Sequence, residues 1–318
     1  MNRKILQAGP TTLAVSLPMR WVRRFDLKKG EELAVEEHGN AIKISAKNTK
    51  KEGSAKVDIT KYHPIGTKVI GILYRMGYQN IRAEYDPQKM LFHRGRNQKP
   101  LDMIQHTFDH LTGMQLWEVN QKNGKYYALT VQKTELDDEE FNQNFNRLFY
   151  NLINQAKNVV NAIENNIDIS EEVNLSERLI NQTADFCIRI LVSAGHPEYK
   201  KIGAYYDFVS MLELIGDKYF NLFKHYIGKK QKVNKEILAV LKKSIEFIEI
   251  MASLHRKFDV TKVVNLAKSI SSEIKEYEVK IENLKEGIFV SYFCYGILVG
   301  IDDAIDPLCC AHHEYFRE

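Results

Sequence analysis

One stretch, Tyr205 to Tyr226, constrains the fold more than any other part of the chain. Its apolar residues recur three or four positions apart, at 205, 208, 209, 212, 215, 219, 222, 223 and 226. That spacing predicts one helix with a single buried stripe. Glu213 and Asp217 are four residues apart and therefore share a face beside the stripe. Gly216 costs about 1 kcal/mol of helix propensity relative to alanine, which indicates a packing or ligand reason for its presence.

The same pattern of carboxylates returns near the C-terminal end. Asp302 and Asp306 are again four residues apart, at the far end of an apolar stretch that begins near Gly287. When the segment 212–217 is aligned with 301–306, the carboxylates coincide, and such a recurrence predicts two copies of one structural unit. By spacing alone, Glu213 and Asp217 are better interpreted as a solvated helix edge, because E-x-x-x-D is common in helices.

The segment Leu212-Glu213-Leu214-Ile215-Gly216-Asp217 closely resembles the LERIGD-type signature of PhoU proteins. The resemblance implies two three-helix bundles, each with an E-x-x-x-D motif that can bind metal. It therefore implies a divalent or ferric ion at Glu213 and Asp217, and at Asp302 and Asp306, although the second copy departs from the signature. Two carboxylates are too few for a complete coordination shell, so water, neighbouring helices or a partner must supply the rest. The alternative is an acidic surface used only for docking.

Length and composition bound the class of protein. A chain of 318 residues is expected to form two or three domains, and 44% apolar with 27% charged residues is typical of a soluble globular protein. The longest apolar run, Ile288 to Ile301, is shorter than the roughly 20 residues that span a bilayer, so we expect a buried helix and no membrane insertion. The N-terminus has no apolar secretory segment, and four cysteines without C-x-x-C spacing favour the cytoplasm.

The first 46 residues are predicted to form a small β-rich domain. Strands are expected at 13–17, 32–37 and 41–45, with a short helix over 20–25. A unit this small cannot bury an adequate core alone, so we expect it to dimerise.

The string TTLAVSLPMRWVRRFDLKKGEELAVEEHGNAIKIS closely resembles the SpoVT-AbrB swapped-hairpin family. The matching features are the strand that ends at Leu17-Pro18, the helix with Trp21 and the turn from Leu27 to Glu31. The resemblance implies that two chains interleave into one β-barrel that binds DNA. It therefore implies a homodimer formed through this domain.

Basic residues support a nucleic-acid partner for the same segment. Residues 1–50 carry ten Lys and Arg against five Asp and Glu, an excess that favours an anionic partner. Arg20, Arg23 and Arg24 share one face of the short helix, and Arg3 and Lys4 begin the first strand. Arginine side chains suit both phosphate oxygens and guanine edges. The alternative is a solvated basic face that contacts no nucleic acid.

The remainder of the chain divides into a mixed segment and a helical one. Residues 47–56 are predicted to be a polar linker, and 57–133 a small αβαββ connecting domain with helices at 62–77 and 101–112 and strands at 80–85, 113–120 and 125–131. From residue 134 we expect two bundles, 134–228 and 233–318, with helices at 137–167, 172–194, 199–228, 233–256, 259–285 and 287–306. In the tail, Cys309, Cys310, His312 and His313 could bind metal or sense redox state, but adjacent cysteines diverge and do not match a tetrahedral zinc pattern.

Together these features predict a multidomain α+β protein: an N-terminal swapped-hairpin β-barrel that is dimeric, a small αβ connecting domain and a C-terminal PhoU-like pair of three-helix bundles. The pairing resembles archaeal AbrB/PhoU-type phosphate-uptake regulators. It implies a cytoplasmic DNA-binding dimer whose body senses or docks a partner, such as a phosphate-transporter ATPase or a signalling protein. An adaptor that does not bind DNA is one alternative. A di-metal bundle enzyme is another, but the chain lacks Glu-x-x-His and a glycine-rich phosphate loop, so we expect no enzyme.

Overall fold

The computed structural model describes residues 3–38, 41–45, 53–93, 95–133, 139–229, 233–282 and 288–316. Short strands and one short helix come first, a mixed α/β segment follows, and long helices complete the chain. The prediction of a multidomain α+β protein with a small N-terminal strand region and a large helical body is therefore confirmed.

The N-terminal region consists of two hairpins around a short helix. Strands β1 (Ile5–Gln7) and β2 (Leu13–Val15) pair antiparallel, helix α1 spans Met19–Arg24, and β3 (Ala34–His38) pairs antiparallel with β4 (Ala41–Ser45). The predicted strand at 13–17 is thus too long, because the chain leaves the hairpin ahead of the extended Pro18 that precedes α1. Within one chain the hairpins form two separate two-stranded sheets, so the barrel stays a prediction about the dimer.

The connecting segment is a four-stranded sheet with two helices. Its elements are β5 (Ser54–Asp58), α2 (Gly66–Arg75), β6 (Asn80–Tyr85), β7 (Leu91–His93), β8 (Arg96–Gln98), α3 (Pro100–Phe108), β9 (Met114–Lys122) and β10 (Lys125–Gln132). The strand order is β5-β6-β10-β9, in which β5 runs parallel to β6 and the other neighbours are antiparallel. Helices α2 and α3 contact each other and the sheet.

Three predictions for this segment are wrong in detail. The linker predicted at 47–56 overlaps β5, whose Val57 is buried and which pairs with β6. The first helix begins at Gly66 and not at Tyr62, because Pro64 disfavours a helical backbone at His63, the residue before it. The β7–β8 hairpin was not predicted, since strands of three residues are too short to show a period of two.

Long helices form the body: α4 (Glu139–Asn165), α5 (Ser170–Ser193), α6 (Ile202–Lys229), α7 (Lys235–Arg256), α8 (Val260–Glu282), α9 (Ile288–Asp303) and the short α10 (Ile305–Ala311). Helices α4, α5 and α6 pack pairwise, as do α7, α8 and α9, and the two groups meet where α4 contacts α7 and α6 contacts α9. The predicted helices agree to within a few residues. The prediction of an unbroken helix at 287–306 is wrong, because the backbone turns at Ala304.

The apolar stripe of α6 lies in the core, as predicted. All nine stripe positions from Tyr205 to Tyr226 are buried. Helix α9 differs from its prediction as a fully buried helix, since Ile288 is 63% and Tyr292 is 68% exposed. Among the described residues, the stretch Ile288–Ala311 is long and apolar enough to cross a membrane, with 44% of it buried inside the protein. Its contacts with α6, α7 and α8 are those of a core helix.

A buried arginine joins the connecting segment to the body. Arg189 of α5 is only 1% exposed. Its guanidinium donates hydrogen bonds to the carbonyl oxygen of Tyr74, to that of Tyr78 at 3.0 Å and to Oε1 of Gln132 at 2.5 Å. These acceptors lie at the end of α2, just beyond it and at the end of β10, so one side chain connects three elements.

Candidate functional site

The basic residues predicted for the N-terminal region are all exposed. Arg20, Arg23 and Arg24 lie on the six-residue helix α1, where their spacing places them on one face. Arg3 donates a hydrogen bond from Nη1 to Oγ of Ser16 at 3.4 Å, across the β1–β2 hairpin. Lys4 is exposed beside it. The helix therefore presents three guanidinium groups to solvent, each free to contact an anion.

The N-terminal region also exposes apolar side chains that a folded domain would bury. Among the residues of 3–35, together with 37, 42 and 44, whose side chains the structure describes, none is buried. The exposed fractions reach 70% for Ile5, 70% for Leu13, 62% for Val35 and 66% for Ile42. One chain alone thus provides this region with no core, and a second surface must cover these strands if the region is to be stable.

The carboxylates predicted on α6 lie in a seam between α5 and α6. Glu213 and Asp217 are half-buried there, and Glu177 of α5 lies against Asp217. Burial, followed by hydrogen bonding with Asp217 and its charge, raises the pKa of Glu177 to about 8. Burial, followed by the charges of Asp217 and Asp185, raises the pKa of Glu213 to about 7. Burial and the neighbouring carboxylates thus both favour the protonated forms of Glu177 and Glu213.

Gly216 is explained by packing between the same two helices. A Cβ at this position would lie 3.2 Å from Cδ1 and 3.3 Å from Cγ2 of Ile180 on α5, and 3.4 Å from Oε1 of Gln155 on α4. The glycine thus lets α5 approach α6 closely, and this close approach brings Glu177 to Asp217. The predicted packing reason for a glycine in this helix is present.

Three buried oxygens in this seam lack hydrogen-bond partners among the described residues. They are Oε2 of Glu177, Oδ1 of Asn181 and Oε1 of Gln155. Asn181 donates through Nδ2 to Oε1 of Glu177 at 3.0 Å, which leaves its own oxygen without a donor. Unpaired buried oxygens beside carboxylates are the ligands that a hard cation prefers. We call Glu177, Asn181, Gln155, Glu213 and Asp217 the carboxylate seam.

The predicted second carboxylate pair has a different setting. Asp302 lies near the end of α9, and Asp306 is exposed on α10, beyond the turn at Ala304. Burial, then the charges of Asp303 and Asp306, raises the pKa of Asp302. Across the described part of the chain, no three His, Cys, Asp or Glu side chains stand in a ready arrangement to hold a metal ion.

The cysteine and histidine residues of the tail divide between two surroundings. Cys309 packs against the core, and the ring of His312 stacks on Phe258 with centroids 4.6 Å apart. Cys310 and His313 instead line a shallow cleft together with Asp306. The divergence of the adjacent cysteines follows from their positions on α10.

Sequence reasoning missed Glu177, Asn181 and Gln155. A signal was present on α5, where Glu177, Asn181 and Asp185 recur every four residues and so form a polar ridge on one helical face. That Gln155 of α4 joins them depends on how three helices pack, which the sequence pattern does not specify.

The comparisons with known proteins bear on the N-terminal region. Residues 9–52 match the family model described as "Antidote-toxin recognition MazE, bacterial antitoxin". No curated protein and no solved structure matches the chain. The chain is thus a multidomain protein in which a small MazE/AbrB-like N-terminal domain precedes a large helical body. We refer to that N-terminal domain as the head.

Proposed function

We propose that this chain is a cytoplasmic DNA-binding transcription regulator. The observation that carries the proposal is the match of residues 9–52 to the MazE model, over a segment whose α1 exposes three arginines on one face. Domains of the MazE/AbrB type typically bind DNA and dimerise. The excess of basic over acidic residues in the first 50 positions favours the same polyanionic partner.

Dimerisation of the head accompanies DNA binding in this proposal. Strands β1 to β4 expose their apolar side chains in the single chain, and a second copy carries the same strands in a self-complementary arrangement. Interleaving of two heads would bury both sets and would close the hairpins into the expected β-barrel. It would also double the arginine face to six guanidinium groups.

The DNA contacts proposed here are mainly to phosphates, which makes a quantitative test possible. The slope of log affinity against log salt concentration is about −0.9 for each phosphate that the protein neutralises. Fluorescence anisotropy of a labelled duplex with the full chain, measured over a series of salt concentrations, gives that slope. We expect the Arg20→Ala/Arg23→Ala/Arg24→Ala variant to bind more weakly and with a shallower slope.

A matched control removes equal charge from the body. Lys262, Lys268 and Lys275 are exposed on α8, and their replacement by alanine should leave both affinity and slope unchanged. If the arginine variant binds DNA as tightly as the native chain does, the head does not use this face. The adaptor, which dimerises without binding DNA, would then be the better account.

For the body, we propose a PhoU-like role in phosphate uptake, in which it senses a signal or docks a phosphate-transporter ATPase or a signalling protein. This role is supported by the two groups of three mutually packed helices and by the glycine-containing signature at 212–217. We propose binding and not catalysis, because the chain lacks the Glu-x-x-His motif of di-metal bundle enzymes.

We also propose that the carboxylate seam holds a divalent or ferric ion. Glu213 and Asp217 would be ligands, with Glu177 and the unpaired oxygens of Gln155 and Asn181 completing the set. A cation there would offset both the burial and the mutual repulsion that raise the pKa values of Glu177 and Glu213. Asp302 and Asp306 would form a second site with fewer donors.

Elemental analysis of the full chain, purified without chelator, tests the seam. We expect metal in the native protein and a loss of it in the Glu213→Gln/Asp217→Asn variant. The control Glu171→Gln/Glu172→Gln changes exposed carboxylates at the start of α5 and should retain the metal. Equal metal content in all three proteins would discard Glu213 and Asp217 as ligands and leave the seam as a docking surface.

A further inference from the structure

A cleft in the connecting segment lies outside every site described above. It has a volume of about 570 Å³ and opens where the parallel strands β5 and β6 end and β10 begins. This volume is in the range of small-molecule sites. The residues that matter for its chemistry are Asp58, Glu84, Lys61, Lys89, Lys125 and Tyr126.

Glu84 is a buried charge that reaches into this cleft. It is 2% exposed, and its Oε1 lies 2.8 Å from Nζ of Lys56 and 3.3 Å from Nε of Arg82. Its Oε2 accepts no hydrogen bond from the described residues. A buried carboxylate oxygen without a donor costs free energy. A ligand group that donates a hydrogen bond to this oxygen would therefore be stabilised there.

Lys125 forms ion pairs with two carboxylates but donates a hydrogen bond to neither. Its Nζ is 3.6 Å from Oδ2 of Asp58 and 3.6 Å from Oε2 of Glu84, which is beyond hydrogen-bond distance in both cases. Its side chain is 58% exposed and can swing aside. Oδ1 of Asp58 already accepts from the backbone amide of Lys61 at 3.0 Å, so Oδ2 is the oxygen available to a ligand.

The rest of the lining includes two further lysines, the carboxylate of Asp86 and two tyrosines. Lys61 and Lys89 are exposed on the loops that follow β5 and β6. The rings of Tyr85 and Tyr126 lie beside the cleft with their centroids 6.1 Å apart. A ligand in the cleft thus has both hydrogen-bond acceptors and ammonium groups in the same lining.

We propose that this cleft binds a small zwitterion of the amino-acid type. The ligand ammonium donates to Oε2 of Glu84 and Oδ2 of Asp58, in the position where the ammonium of Lys125 now forms its two ion pairs. The ligand carboxylate accepts from Lys61, Lys89 and the displaced Lys125. The segment that carries the site lies between the head and the body along the chain, and occupancy of the site does not depend on DNA binding.

Isothermal titration calorimetry of the full chain, without DNA, tests the proposal. Each of the common protein amino acids is titrated in turn, and methylamine, acetate and inorganic phosphate are titrated as probes that carry one charged group only. We expect saturable binding of at least one amino acid and much weaker binding of methylamine, acetate and phosphate. Absence of binding by every amino acid overturns the proposal, as does equal binding of acetate or phosphate, which would show a simple anion site.

Two variants place the ligand in the cleft. Lys89→Ala removes one carboxylate contact without disturbing the ions around Glu84, and loss of a charged hydrogen bond should weaken binding about tenfold. Lys122→Ala removes an exposed lysine of β9 outside the cleft and should not change the affinity. Native affinity in the Lys89→Ala variant would overturn the placement. Since no DNA is present, these results are separate from the test of the regulator.

Discussion

Replacement of Glu177 by glutamine should change how stability depends on pH. Burial, and then Asp217, raises the pKa of Glu177 from 4.5 to about 8 in the folded chain. The folded state therefore retains a proton that the unfolded state releases as pH rises above 4.5. The resulting contribution to stability is fully present below the unfolded pKa and is lost as pH rises through the folded value.

The magnitude follows from the pKa difference. Each pKa unit corresponds to about 1.4 kcal/mol, so an isolated group with this shift would contribute about 5 kcal/mol across the window. Glu177 is only half-buried and shares its surroundings with Asp217. Solvent screening and this coupling reduce the expected loss of stability to about 2 kcal/mol. Glutamine resembles the protonated carboxyl and should therefore remove that loss.

The assay is urea unfolding of the full chain with chelator present, followed by far-UV circular dichroism at roughly pH 5.5 and pH 8.5. The native chain should lose about 2 kcal/mol more stability between these two values than the Glu177→Gln variant does. Glu172→Gln, an exposed change on the same helix, should behave as the native chain. If the native chain and the Glu177→Gln variant lose the same stability between these pH values, Glu177 does not retain a proton in the folded chain above the pKa of the unfolded chain.

Three further outcomes are expected. A fragment of residues 1–52 should sediment as a dimer, and a stable folded monomer would contradict the swapped-hairpin head. Arg189→Met should lower the free energy of unfolding by about 3 kcal/mol or more in thermal denaturation, because it leaves buried acceptors without a donor. An unchanged free energy of unfolding would contradict the inference that Arg189 connects the three elements. Gly66→Ala should destabilise by about 1–3 kcal/mol, since a Cβ would lie 2.7 Å from the backbone of Ile59. Gly71→Ala, with open space around it in the same helix, should instead stabilise by about 0.5–1 kcal/mol, and equal effects of the two changes would contradict this packing.

Periodicity in the sequence was enough to predict the helices of the body. The stripe from Tyr205 to Tyr226 repeats over several turns, so its buried face could be assigned before any packing was known. The same reasoning placed the end of α9 wrongly, because Pro307 has no amide to bond the carbonyl of Asp303 and so breaks the helix four residues before itself. Strands β7 and β8 were missed since three residues show no pattern.

The sites could be predicted only where one element carries them. Arg20, Arg23 and Arg24 belong to one helix, as do Glu213 and Asp217, so their spacing was sufficient. The partners of those carboxylates come from α4 and α5, and their approach depends on the close contact at Gly216.

The cleft of the connecting segment was harder to predict for the same reason. Asp58, Glu84 and Lys125 belong to three strands that only the sheet order β5-β6-β10 brings together. These three residues are far apart in the sequence, and no regular spacing between them indicates that they form one site.

The most direct test of the regulator is to map where the protein binds on the chromosome of its own cells. Chromatin should be captured with the native chain and, in parallel, with the Arg20→Ala/Arg23→Ala/Arg24→Ala variant expressed at the same level. The account predicts discrete binding at promoters for the native chain, including those of phosphate-uptake genes, and loss of these sites in the variant. A native chain that occupies no promoter, or a variant that keeps every site, would contradict the claim that this protein regulates transcription through the arginine face of its head.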